Sequence, residues 1–170
     1  MFDKRIDLEE VKEFIANCGP ETKVYMGCDS ERVKVEVPRK LKDGTVEIQK
    51  LWFADYVTVI VVHIDGNHGC KVFGQIVRQQ DFDQVKNKPR MRLMNECYQV
   101  SELYLSLAPM ISDTEIEVHL DINPNRKYGS SCVVDEAIGY VKGVCGVTPI
   151  VKNDAWAASF AADRYKSFMQ

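Results

Sequence analysis

Apolar residues in the first half of the chain form runs that short polar turns interrupt. Three of these runs, at residues 22–28, 46–64 and 70–78, are rich in Val, Ile and aromatic residues. Such a composition is typical of strands, and turns that contain Gly, Asp and Asn indicate an antiparallel meander. A helix should precede the meander over about residues 7–18, because Asp7 can cap a segment with helical spacing of apolar residues.

The apolar residues in the second half of the chain recur with a different period. From residue 89 onward, apolar residues recur at steps of three and four, which predicts a helix packed on a sheet. A strand, a helix, a strand and a helix should follow at residues 115–121, about 131–144, about 147–151 and from Asp154. Strands joined through helices become parallel neighbours with right-handed crossovers. The order predicts an α/β fold with a mixed five-stranded sheet, three antiparallel strands and then helix-alternating strands, flanked by helices.

Length and composition limit which classes of protein this chain can belong to. The 170 residues suit a single domain over residues 1–170, and no linker rich in Gly, Pro or Ser divides them. The N-terminus is acidic where a secretory signal needs an apolar core, and no apolar run reaches the ~18–20 residues that cross a bilayer. We therefore expect a cytoplasmic protein that does not enter membranes. The net charge of −3 argues against nonspecific coating of nucleic acid, so any such contact must be local.

Four carboxylates occupy positions that packing alone would not favour. Asp29 and Asp121 end the first and fourth predicted strands, and Gly27 on the face of Asp29 leaves room for a ligand or backbone to approach. Glu96 lies beside the apolar stripe of its helix, so its carboxylate should lean toward the sheet. Asp154 stands just before the last helix. Each has an ordinary alternative, since the strand-terminal Asp residues could start turns, Glu96 could reach water and Asp154 could cap its helix.

Asp163 competes with Asp154 for the fourth position. Nine residues along a regular helix are two and a half turns, which would put the two carboxylates on opposite sides and about 13 Å apart along the axis. They could not then serve one metal pair together. Because ligand sites in α/β sheets gather at strand ends, the sequence favours Asp154.

Carboxylates gathered at one edge of a sheet suit a pair of divalent cations. Two Mg²⁺ or Mn²⁺ ions need oxygen ligands and compensating negative charge, and such a pair clamps the attacking and leaving oxygens of a phosphodiester. Without metal the same carboxylates would repel one another, and at least one should have a raised pKa. The expected metal ligands and catalytic residues are Asp29, Glu96, Asp121 and Asp154.

Basic residues flank two of these acids. They could hold a nucleic-acid backbone beside the acids, although a solvated surface is the ordinary alternative for each one. The candidates are Lys86, Lys88, Arg90 and Arg92 before Glu96, and Arg126 and Lys127 after Asp121. Candidate auxiliary residues are His119, Ser30, Asn123 and Asp163.

Five segments of the chain resemble the YkuK family of bacterial and phage proteins: MGCDSE, RLMNECYQ, HLDINPNRKYGSS, GYVKGVCGV and NDAWAASFAADR. The similarity spans about residues 24–164, and it implies an RNase H-like fold. Nucleases of that fold carry an Asp in the first strand, a Glu in the helix after the meander, an Asp ending the fourth strand and an acid opening the last helix. The residues in these places are Asp29, Glu96, Asp121 and Asp154.

The resemblance also implies a role for each acid in one in-line hydrolysis. Asp29 and Asp121 would bind or bridge both metal ions. Glu96 would hold one ion near the leaving side, and Asp154 would position the ion that activates water.

Three functions remain open at this point. The first is a two-metal nuclease that hydrolyses RNA in hybrids or structured DNA. The second is a nucleic-acid-binding module of the same fold that does not cut, and the third is a metal-dependent phosphohydrolase of small molecules. A nuclease or a binding module should lose affinity steeply with salt, whereas a small-molecule enzyme should barely respond.

Overall fold

The computed structural model describes residues 4–83 and 89–169. Within these residues, five strands and four helices follow one another. In chain order they are α1 (Leu8–Ala16), β1 (Lys23–Lys40), β2 (Val46–His63), β3 (Cys70–Gln80), α2 (Arg90–Leu107), β4 (Glu115–Leu120), α3 (Val134–Cys145), β5 (Ile150–Val151) and α4 (Ala162–Met169). A π-helical turn, Ala157–Ala161, leads directly into α4, and the two together are the final helix.

The five strands form one mixed sheet in the order β3-β2-β1-β4-β5. Pairing is antiparallel between β1 and β2 and between β2 and β3. It is parallel between β1 and β4 and between β4 and β5. This arrangement confirms the fold class expected from the sequence.

The first strand is much longer than the sequence predicted. It was expected to end at Cys28, but β1 runs on to Lys40, and its antiparallel ladder with β2 continues as far as the pair Lys40–Val46. Its parallel ladder with β4 stops at the pair Cys28–Leu120. Asp29 therefore lies within β1, at the point where the strand loses its neighbour on one side. Beyond this point Glu31–Lys40 of β1 and Val46–Asp55 of β2 form a hairpin extension, which we call the arm.

Each face of the sheet is covered by a different set of helices. The larger core contains residues of α1, α2 and α3 packed on one face, among them Val11, Val100 and Val141. On the other face the final helix packs through Ala157 and Ala162 against valines of β2. Both cores bury their apolar side chains almost completely, which is the main stabilisation of such layers.

Gly27 lets the final helix approach the sheet closely. A Cβ atom at this position would lie 2.4 Å from the backbone nitrogen of Ala158, a distance that no side chain tolerates. The room that Gly27 leaves on the face of Asp29 is thus taken by backbone, one of the two alternatives that the sequence offered. The contact fixes the final helix beside β1.

The last two helices begin later than predicted. A short 3₁₀ turn, Gly129–Val133, precedes α3, and Asp154 lies exposed in a bend before the final helix. Asp154 is therefore not part of the first helical turn. In the parts of the chain that the structure describes, no helix is both long and apolar enough to span a membrane.

Candidate active site

Two aspartates lie at the same level of the sheet, Asp29 within β1 and Asp121 directly after β4. Because Cys28 pairs with Leu120 in the parallel ladder, the next residue on each strand, Asp29 and Asp121, lies side by side with the other. Their charges interact, since Asp121 raises the pKa of Asp29. The two acids belong to one site at the edge of the β1–β4 ladder.

Asp29 is held in an environment that disfavours its charge. Burial is the largest cause, followed by the charge of Asp121, and together with Asp163 they raise the pKa of Asp29 to about 6. The backbone N–H of Ser30 and the guanidinium of Arg92 oppose this shift. The sequence predicted that at least one acid would have a raised pKa, and Asp29 is such an acid.

Glu96 reaches the same site from α2. Its side chain is buried with 3% of its surface exposed, so it leans toward the sheet as the helical spacing predicted. Burial, and then the charge of Asp29, raise its pKa well above the usual range. The hydroxyl of Ser30 donates a hydrogen bond to Glu96 Oε1. Ser30 in turn accepts hydrogen bonds from Arg92 Nη1, at 2.8 Å to its carbonyl oxygen and 3.1 Å to Oγ.

Lys152, which was not among the residues predicted from the sequence, forms an ion pair with Asp121. Lys152 Nζ lies 2.9 Å from Asp121 Oδ1, and Ser159 Oγ donates to the same oxygen at 3.0 Å. Lys152 follows β5 directly, and β5 pairs with β4 through Leu120–Val151. The parallel register therefore brings residue 152 abreast of residue 121. The signal was the adjacency of β4 and β5, which no local pattern in the sequence displays.

Asp163 and Asp154 are the two candidates for the fourth acid. Asp163, on the final helix, is among the main charges that raise the pKa of Asp29, and Asp154 is not. A spacing of two and a half turns between the two residues would require one regular helix from Asp154. The helix begins only after Trp156 and opens with a π-helical turn, so a count of 3.6 residues per turn from Asp154 does not apply.

The auxiliary residues serve different parts of the site. His119 has 1% of its surface exposed; its Nδ1 accepts a hydrogen bond from the Ala157 N–H at 3.1 Å, and burial lowers its pKa. It therefore anchors the start of the final helix. Asn123 shapes the loop after Asp121, because its Oδ1 accepts from the Asn125 N–H at 2.9 Å and its own N–H donates to Ser130 at 3.0 Å.

The basic candidates are also distributed unevenly. Arg92 touches the site through Ser30, whereas Arg90 forms an ion pair with Glu136 of α3 at 2.5 Å. Arg126 and Lys127 are exposed in the loop after Asp121. Lys86 and Lys88 lie outside the described residues.

The donor atoms at this site suit a hard divalent cation in kind. They are carboxylate oxygens, and their mutual repulsion would be relieved by a bound cation. As they stand, however, no three Asp, Glu, His or Cys side chains within residues 4–83 and 89–169 are arranged to hold one ion. Asp121 is engaged by Lys152 and Ser159, and Glu96 by Ser30. A metal ion would have to displace these partners.

Comparison with known proteins identifies the family. A family model described as Ribonuclease H-like matches residues 44–167, which is 124 of the 170 residues. The matched segment includes Glu96, Asp121, Asp154 and Asp163, and begins after Asp29. Searches of curated proteins and of solved structures find no match. Since most of the chain matches and the sheet has the expected mixed topology, the chain belongs to the ribonuclease H-like family.

Proposed function

We propose that this protein is a metal-dependent nuclease that hydrolyses nucleic-acid phosphodiesters. The observation that carries the proposal is the electrostatic coupling of Asp29, Glu96 and Asp121. These three acids come from three distant elements and meet where β1 and β4 part. Buried carboxylates that repel one another destabilise a fold, so a function is the natural reason for their retention.

Four acids would hold Mg²⁺ or Mn²⁺. Asp29 and Asp121 are the central pair, Glu96 is the buried acid, and Asp163 is favoured over Asp154 as the fourth because its charge acts on Asp29. Two bound ions would supply positive charge to the phosphate and lower the pKa of an attacking water. In the hydrolysis a water oxygen forms a bond to phosphorus while the bond from phosphorus to the leaving oxygen breaks.

The basic residues beside the acids have different roles. Lys152 neutralises Asp121, and it would become free to contact a phosphate oxygen once a metal ion took its place. Arg92 holds Ser30 and so orients Glu96. Arg126 and Lys127, exposed beyond Asp121, are proposed to contact the backbone of a hybrid or structured DNA substrate.

The test is cleavage of a labelled RNA–DNA hybrid and of branched DNA in Mg²⁺ or Mn²⁺. Asp121→Asn and Glu96→Gln should each lower the cleavage rate by about 100-fold or more, because each removes a ligand charge from the metal site. Glu102→Gln is the matched control, since Glu102 lies on the same helix with its side chain exposed, and it should cut at the wild-type rate. Equal rates for wild type, Asp121→Asn and Glu96→Gln would overturn the proposal.

A non-catalytic nucleic-acid-binding module is the second candidate. It is favoured by the ion pair between Lys152 and Asp121 and by the lack, in the described residues, of a ready three-ligand group. This function predicts binding that Asp121→Asn leaves intact, with no cleavage by the wild-type protein in either metal. The cleavage assay, run beside a binding measurement on Asp121→Asn, therefore separates the two functions.

A further inference from the structure

The arm carries its charges on opposite faces according to sign. Residues paired across an antiparallel ladder point to the same face, and successive residues alternate. One face, which we call the cationic face, contains Arg32, Lys34, Lys40 and Lys50, with Glu36 as its single acid. The other face contains Glu31, Glu47 and Asp55, with Arg39 as its single cation.

Ion pairs neutralise part of the charge on both faces of the arm, and on the cationic face Arg32 is paired with Asp81. Glu36 forms an ion pair with Lys50 at 3.2 Å, so Lys34 and Lys40 have no acid directly across from them. On the opposite face Glu31 is paired with Lys166, and Asp55 with Arg78 at 2.5 Å. The arm thus offers positive charge to solvent on one face.

An exposed aromatic ring lies among these cations. Trp52 has 41% of its surface exposed, with the Arg32 guanidinium 4.4 Å and Lys34 Nζ 5.3 Å from its ring centre. Val46 and Ile48 further along the same face are more than 60% exposed. Lys and Arg side chains contact phosphates in nucleic-acid complexes, and the aromatic ring beside these two cations attracts them by a cation–π interaction.

The base of the arm is tied to the helix that serves the active site. Arg32 Nε lies 2.6 Å from Asp81 Oδ2, and its Nη2 donates to the Asp83 carbonyl at 2.9 Å. The Asp83 carboxylate accepts from the N–H groups of Met91 and Arg92, each at 2.9 Å. The cationic face is therefore connected to the start of α2, where Arg92 reaches the acids.

We propose that the cationic face of the arm binds the sugar-phosphate backbone of a nucleic-acid duplex whose scissile bond lies at the acids. This inference rests on the proposed function for the position of the duplex relative to the acids, although binding itself does not require cleavage. Lys40 lies eleven residues beyond Asp29, a distance of about 37 Å at ~3.4 Å per residue. Lys40, at the tip of the arm, would thus contact the duplex about one helical turn from the acids.

Binding in EDTA separates this contact from catalysis. The probe is a fluorescein-labelled duplex of about 20 base pairs, prepared both as a hybrid and as DNA, and its anisotropy is followed at several salt concentrations. Lys34→Gln/Lys40→Gln should weaken binding about 10-fold and reduce the slope of log affinity against log salt by about 2. Arg39→Gln/Lys42→Gln removes the same charge from the opposite face and the turn of the same arm. It should weaken binding less than about 2-fold.

Trp52 gives a second readout that charge alone would not move. The chain has two tryptophans, so Trp156→Phe leaves Trp52 as the single emitter. Duplex binding should quench or shift the emission of Trp52 in that variant, and Lys34→Gln/Lys40→Gln should abolish the change at the same duplex concentration.

The possible outcomes distinguish this inference from the proposed function. Arm-dependent binding without cleavage in Mg²⁺ would support the inference and count against the nuclease. Cleavage that depends on Asp121, with equal binding by both double variants or unchanged Trp52 emission, would overturn the inference alone. A protein that binds no duplex and dimerises in sedimentation through the arm would also overturn it.

Discussion

The two halves of β1 are built on different principles, although they form one continuous strand. Lys23–Cys28 pairs on both sides and buries Val24 and Met26 completely. Beyond Asp29 the strand pairs only with β2, and most of its side chains are charged and exposed. The change from one to the other occurs at the acid that joins Asp121. A single strand can therefore supply core, reactive site and binding surface, provided that it outruns one of its neighbours.

The contrast between the two halves of β1 predicts that substitutions lower the free energy of unfolding most in the buried half. Gly27→Ala should lower the free energy of unfolding by about 2 to 3 kcal/mol, because its Cβ would collide with the backbone at Ala158. Urea unfolding measures the loss. The control is Gly139→Ala in α3, where nothing lies within 4 Å of the added Cβ and the helix should gain stability. Equal stabilities of wild type and Gly27→Ala would contradict the close approach of the final helix.

At Asp29, where the two halves of β1 meet, a substitution should raise the free energy of unfolding instead of lowering it. The raised pKa of Asp29 means that the folded protein holds this proton more tightly than the unfolded chain does. Its contribution to stability is present below about pH 4 and is lost as the pH rises through about 6. In EDTA, Asp29→Asn should therefore match wild type near pH 4 and exceed it by about 1 to 2 kcal/mol near pH 7.5.

The pH series is best measured by urea unfolding of both proteins in the same buffers. Asp29→Gln is less suitable than Asp29→Asn, because its longer side chain would crowd the contact of the final helix. An Asn variant less stable than wild type at neutral pH would show that Asp29 is held by favourable contacts and not by repulsion.

In the exposed half the effect on stability should be smallest. Lys34→Gln/Lys40→Gln should change the free energy of unfolding by less than about 0.5 kcal/mol, since both side chains are exposed and solvated. The same urea measurement applies. A loss above about 1 kcal/mol would mean that the cationic face supports the fold, and the contrast between the two halves would fail.

Much of the fold could be predicted from the sequence because its signals are local. The meander follows from Val- and Ile-rich runs between short turns, and α2 follows from apolar residues at helical spacing. The inward orientation of the Glu96 side chain could be predicted from the same spacing, because the periodicity of a helix fixes which residues share a face.

Most of what the prediction missed depends on partners that are distant along the chain. The extension of β1 to Lys40 pairs with β2, and the alternation of Val33, Val35 and Val37 with charged residues is itself a strand pattern that the prediction passed over. The contact of Lys152 with Asp121 depends on β5 lying beside β4. The place of Asp163 depends on a helix that starts late and opens with a π-helical turn, which residue counting cannot anticipate.

The hydrogen-bond register of the sheet fixes which charged residues lie beside one another where the parallel ladders end. The β1–β4 and β4–β5 ladders end in step, so Asp29, Asp121 and Lys152 stand in one row at the spacing of neighbouring strands, about 4.8 Å. Loops between these strands can lengthen without disturbing that row. The insertion of a single residue inside β1, β4 or β5 would instead set a different residue in the row and turn the next side chains to the opposite face.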